Sequence, residues 1–186
     1  MKLKRFYSAL IFLIVLLGLY LFTPLDFYVQ KYANRLLHYN PTPVKEREKE
    51  TVTDFDWTLK GMDGNTFRLE DHKGEVLFIN FWATWCPPCV EEMPSLQDLH
   101  NDYQDKITFL FVARDKKSRV TNFIERKGYE LPVYFESGLT PKILYHPTLP
   151  STYIINKKGG IELAKTGASD WNSDSVRKLL DSLLIR

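Results

Sequence analysis

FINFWATWCPPCVEEMP, residues 78–94, holds both cysteines of this 186-residue chain, Cys86 and Cys89, with two prolines between them. A Cys-x-x-Cys pair has three readings: half of a metal site, a structural disulfide, or a redox couple. Structural zinc needs four ligands, and the remaining candidates, His38, His72, His100 and His146, are not paired at metal spacing, so no metal site is expected. A purely structural bridge across so short a loop removes little entropy from the unfolded chain. Redox exchange needs a thiolate at a helix amino terminus and a second sulfur near enough to close the ring, and this spacing supplies both. Pro87 and Pro88 fit the first helical positions, where a missing N–H is tolerated and a fixed φ starts the helix. They withhold two donors from the Cys86 sulfur, leaving the helix dipole and later amides to lower its thiol pKa.

Working outward, EVLFINFW (75–82) is a nearly unbroken apolar run, as expected of a strand covered on both faces. A helix is expected from about Pro87 to Tyr103, with Pro94 unable to donate to the Val90 carbonyl and therefore kinking it. Upstream, FDWTLKGMDGNTFRL (55–69) reads as a β-hairpin about Asp63–Gly64. Downstream come the strand ITFLFVA, the helix KSRVTNFIERKG, a short strand near LPVYF, the strand STYII, the turn NKKGG, the strand IELAKT and a helix from about Ser173 to Leu184. Early alternation of strand and helix, followed by hairpin and helix, indicates an α/β class with parallel and antiparallel strands.

MKLKR at the start is followed by an uncharged run from Phe6 to Phe22, closed by Pro24 and Asp26. Those 17 residues sit at the lower limit for a spanning helix. No small-x-small cleavage site follows, which favours a transmembrane anchor (1–24) over a cleaved export signal. Basic residues ahead of the span place the rest of the chain on the far side of the membrane. Residues 25–50, ending in NPTPVKEREKE, read as a juxtamembrane stalk, and 51–186 as one monomeric domain. A net charge of +2 offers no electrostatic footprint for nucleic acid, and a 44% hydrophobic, 14% aromatic composition argues for a packed core.

NFWATWCPPC (80–89) resembles the active-site segment of thioredoxin-fold proteins, and most of all the membrane-anchored TlpA/ResA-like thiol-disulfide oxidoreductases. LPSTYIINKKGGI (149–161) resembles that family's cis-proline segment, and the likeness covers about residues 51–186. It implies an α/β thioredoxin-like fold: a mixed central sheet flanked by helices, with an N-terminal β-hairpin and an N-terminal transmembrane helix. It implies Cys86 as the nucleophile, closer to solvent, and Cys89 as the resolving thiol, with the redox-active disulfide itself in place of any cofactor. Glu92, on the same helical face as Cys89, is placed to exchange a proton with it or raise its pKa; a solvated helix carboxylate is the alternative. Asn80, where thioredoxins carry aspartate, is expected to hydrogen-bond a neighbouring loop. Trp82 is assigned to the core. Trp85, Pro87, Pro88, Leu149 and the cis-proline Pro150 form the expected substrate-contacting set, with Leu149 offering backbone atoms to an extended client. His146, near the Pro150 loop, is expected at the surface.

The resemblance also implies a reductase of disulfide-containing protein clients, apocytochrome c among the family's substrates, recharged by a membrane thiol electron donor. The same chemistry run backwards would make a dithiol oxidant, and a binding module with idle cysteines is a third reading. A peroxidase reading lacks a P-x-x-x-T-x-x-C pattern around Cys86.

Overall fold

The structure, a computed structural model, describes residues 50–185 together with the isolated positions Tyr7 and Phe12. The chain divides into two units, Met1–His38 and Tyr39–Arg186. Apart from Tyr7 and Phe12, the expected anchor lies outside the described residues, as does all of the stalk but Glu50. Among the described residues no helix is long and apolar enough to cross a membrane.

The hairpin forms from β1 (Thr58–Gly61) and β2 (Thr66–Arg68), paired antiparallel. Its turn depends on Gly64, whose φ of 92° lies where a side chain would be strained, and the Asp63 carboxylate accepts from the Asn65 amide at 3.0 Å. The apolar run becomes β3 (Leu77–Trp82), buried at every position. After it come α1 (Pro87–Tyr103), β4 (Thr108–Ala113), α2 (Lys117–Lys127), β5 (Val133–Glu136), β6 (Ser151–Ile155), β7 (Ile161–Thr166) and α3 (Asp174–Ile185). Two short 3-10 turns, Leu69–His72 and Lys142–Leu144, have no signature in the sequence, because three or four residues carry no periodicity to read. α2 ends where its sequence signals, at Gly128, whose left-handed conformation lets its amide reach the Glu125 and Ile124 carbonyls.

The strands form one seven-stranded sheet in the order β2-β1-β5-β4-β3-β6-β7. β3, β4 and β5 run parallel, while β6, β7 and the hairpin add antiparallel pairs. Alternation along β3 sorts its side chains between two cores. Phe78 and Trp82 join Met93 of α1, Phe123 of α2 and Leu180 of α3. Leu77, Ile79 and Phe81 pack with Trp57, Tyr153 and Leu144, the last supplied by the second 3-10 turn. Each such side chain contributes about 2 kcal/mol on burial, so coverage of both faces explains why β3 tolerates no polar residue except Asn80.

Candidate active site

β3 ends at Trp82, and the chain turns through Ala83–Trp85, the Cys86 amide donating back to the Ala83 carbonyl at 3.2 Å. Cys86 is the N-cap of α1, extended, with Pro87 and Pro88 in the first two helical positions. Its sulfur accepts from the Cys89 amide at 3.3 Å, so the first donor past the prolines is aimed at it. Cys86 and Cys89 are joined by a disulfide, S–S 2.08 Å. Cys86 is 3% exposed and Cys89 not at all, so the nucleophile of the resemblance is the outer sulfur yet nearly covered in the oxidised form. Trp85, by contrast, is 62% exposed: its ring stands out from the protein beside the motif. Pro87 is exposed and Pro88 half-buried. Among the described residues no three His, Cys, Asp or Glu side chains are grouped as metal ligands would be.

The motif loop is pinned from the side by Asp115. That carboxylate accepts from the Thr84 hydroxyl, from the Lys116 amide at 2.6 Å and from Arg119 at 2.5 Å. Burial draws its pKa upward, but these donors together outweigh burial and hold it below the ordinary carboxylate range.

Glu92 is not a solvated helix carboxylate; it is 3% exposed. Oε1 accepts from Asn80 Nδ2 at 2.8 Å, and Oε2 from the Trp171 indole N–H at 2.7 Å and the Ser169 amide at 3.3 Å. Burial pushes its pKa up from 4.5 to about 7, against the opposing pull of the Trp171, Asn80 and Ser169 donors. Asn80, expected to serve a loop, instead bridges Glu92 and Thr152 of β6, donating to the threonine hydroxyl at 2.8 Å. The reason is register: Asn80 lies directly opposite Thr152 across the β3–β6 pair. Asn80 Oδ1 has no partner among the described residues, so turning the amide over offers a protonated Glu92 an acceptor without moving the backbone.

Trp171, Ser169 and Thr152 were missed from the sequence because Trp171 meets Glu92 across 79 positions. The only signal was a tryptophan just ahead of the last helix. Trp171→Phe keeps the ring and removes the donor, leaving a buried carboxylate short of one hydrogen bond; urea unfolding is expected to show a loss of about 2 kcal/mol at pH 8 and less at pH 5.

The Leu149–Pro150 peptide is cis. Because Phe81 pairs with Ser151, Pro150 follows on opposite Trp82, at the sheet end from which the cysteine motif departs. Pro150 is buried and its carbonyl accepts from Gly167 at 2.9 Å. Half-buried Leu149 has no hydrogen bond to its backbone among the described residues. His146 is half-buried, its Nδ1 taken by the Thr148 amide at 3.2 Å within its own turn.

Parallel β3 and β4, a cysteine pair capping the helix that leaves β3, and a cis-proline ahead of the antiparallel β6 are the layout of a thioredoxin-like redox protein. The chain belongs to the AhpC/TSA family, whose model matches residues 51–164. It is similar to the thiol-disulfide oxidoreductase ResA of Halalkalibacterium halodurans, 31% identical over 89% of both chains. It is also similar to the thioredoxin-like protein YneN of Bacillus subtilis, 31% identical over 67% of this chain and 74% of the other. Among solved structures, the exposed lipoprotein thioredoxin Etrx1 of Streptococcus pneumoniae matches with a TM-score of 0.59 and 26% identity, covering 69% of this chain and 99% of that one. StoA of Bacillus subtilis matches with a TM-score of 0.54 and 25% identity, covering 67% and 93%. Within its family the chain is thus a thioredoxin-like thiol-disulfide oxidoreductase of the ResA type.

Proposed function

We propose that this chain is a membrane-tethered, extracytoplasmic reductase of protein disulfides. The observation that carries the reading is the Cys86 sulfur at the amino terminus of α1, with the Cys89 amide directed at it. In the reduced protein the Cys86 thiolate attacks one sulfur of a client disulfide. A Cys86–client bond forms, the client S–S bond breaks, and the first client sulfur leaves as a thiolate and takes up a proton. Cys89 then loses its proton and attacks Cys86, regenerating the Cys86–Cys89 bond and expelling the second client thiolate, which is protonated in turn. Two electrons and two protons pass to the client. The disulfide seen here is the oxidised product, and a membrane thiol donor restores the dithiol by the same exchange in reverse.

Glu92 supplies or accepts the proton of Cys89, three residues away on the same buried helical face. Trp85, Pro87, Pro88 and the Leu149–Pro150 edge receive the client as an extended chain, its backbone pairing with Leu149. The basic start and 17-residue apolar run of the sequence support a membrane anchor with the domain outside the cytoplasm, and the resemblance to ResA-like proteins supports apocytochrome c disulfides as clients.

The test is a Cys89→Ala chain presented with insulin. A mixed disulfide through Cys86 is expected to accumulate on non-reducing gels, to vanish with dithiothreitol and to be absent when Cys86 is also replaced. If Cys89→Ala accumulates no adduct, the two-step exchange is wrong.

A further inference from the structure

We propose that Arg114 is a positioning residue for client selection, fixing segment 137–149 so that the exposed Tyr145 ring and the Leu149 backbone present one surface to an extended polypeptide. This rests on the reading of Leu149–Pro150 as the client-binding edge.

Arg114 is the first residue after β4, and its amide donates to the Trp82 carbonyl at 2.8 Å, tying it to the end of β3 where the cysteine motif begins. Its side chain does not run out into solvent; it is 17% exposed. The guanidinium lies 4.5 Å from the Phe81 ring centre and 5.3 Å from that of Tyr145. It donates to the His146 carbonyl at 2.5 Å and reaches Glu136 Oε1 at 3.5 Å. Glu136 in turn accepts from the Thr140 hydroxyl near the start of the segment. One planar cation thus joins the floor of the sheet to both ends of a segment that has little regular structure. Arginine suits this task and lysine does not, because stacking and forked donation need the flat guanidinium.

The segment leads straight into the cis-proline. The Thr148 amide donates to His146 Nδ1 at 3.2 Å, and the Ser151 hydroxyl donates to the Thr148 carbonyl at 2.6 Å. A shift at His146 therefore displaces Leu149. Buried Leu144 anchors the middle of the segment, whereas Tyr145 is 60% exposed and Leu139 fully outward. An exposed aromatic ring four residues ahead of the Leu149 backbone, which has no hydrogen bond among the described residues, fits a client whose cystine is flanked by an apolar or aromatic side chain. A small disulfide reaches Cys86 without touching this surface.

The experiment compares full-length wild type, Arg114→Ala, Arg114→Lys and Tyr145→Ala with two oxidants, insulin and 2-hydroxyethyl disulfide. For insulin, Arg114→Ala is expected to raise KM about tenfold with kcat changed less than about twofold, and Arg114→Lys to recover only part of that loss. Tyr145→Ala, which leaves the core untouched, is expected to raise KM about threefold. Rates with 2-hydroxyethyl disulfide should stay within about twofold of wild type throughout. Equal losses on both oxidants, or an unchanged insulin KM, would overturn the proposal; should Arg114→Ala not fold, Arg114→Lys and Tyr145→Ala decide it. Wild type that reacts with neither oxidant would instead refute the reductase reading itself.

Discussion

Cys86→Ser is expected to lower insulin reduction by about four orders of magnitude, to the uncatalysed background. Serine fills nearly the same volume, and the N-cap role survives, since a serine oxygen accepts from the helix amides at least as well as sulfur does. What disappears is the ionisable, polarisable nucleophile. Cys89 cannot take over: it is fully buried, one turn into α1, with the outer position between it and any client. A thiolate that reduces the disulfide must approach one sulfur along the S–S axis, and Cys86 is the less buried of the two, so a mixed disulfide with a reductant is expected on Cys86 as well. Turbidity from precipitating insulin chains, with dithiothreitol as electron source, measures the loss. Retention of even a tenth of the wild-type rate would place the nucleophile elsewhere.

The parts of this molecule legible in the sequence are those fixed by neighbours along the chain. The hairpin is announced by Asp63–Gly64, the both-faces-covered β3 by its apolar run, the start of α1 by Pro87 and Pro88, and the end of α2 by Gly128. The disulfide follows from the spacing of the only two cysteines. The polar interior was less legible. Whether Glu92 faces water or core depends on what packs over its face of α1, and the answer, Trp171 and Ser169, comes from a loop far along the chain. For Asn80, within the buried strand, the sequence points to a loop as hydrogen-bond partner, because the partner it has is set by strand register, which only β6 pairing supplies. Arg114 escaped notice for a related reason: an arginine after a strand looks like solvent-facing charge until Phe81 and Tyr145 are found on either side of it. Local signals establish the frame and the cysteine pair; contacts between distant segments set the surroundings of Glu92 and Arg114.

Glu92→Gln is expected to abolish the steepest part of the pH dependence of stability. The folded carboxyl has a pKa of about 7, raised from 4.5 by burial. Between those values the folded state binds more protons than the unfolded state, so stability must fall as pH rises through that window. The favourable contribution is complete below pH 4.5 and gone above pH 7, a loss of about 3 kcal/mol across the interval. Glutamine keeps an oxygen for the Trp171 and Ser169 donors and carries no charge at any pH, so it resembles the protonated acid. Wild type and Glu92→Gln should therefore match near pH 4.5 and diverge upward, the variant becoming the more stable by as much as about 3 kcal/mol at pH 8. With Glu92 in its proposed role as proton partner of Cys89, exchange is expected to slow where stability rises, because the glutamine amide neither gives nor takes a proton. That inverse relation, read from urea unfolding and from insulin reduction on the same samples, separates a working acid from a packing residue. Parallel pH curves for the two proteins would mean that Glu92 is ionised across the whole range, its donors outweighing its burial.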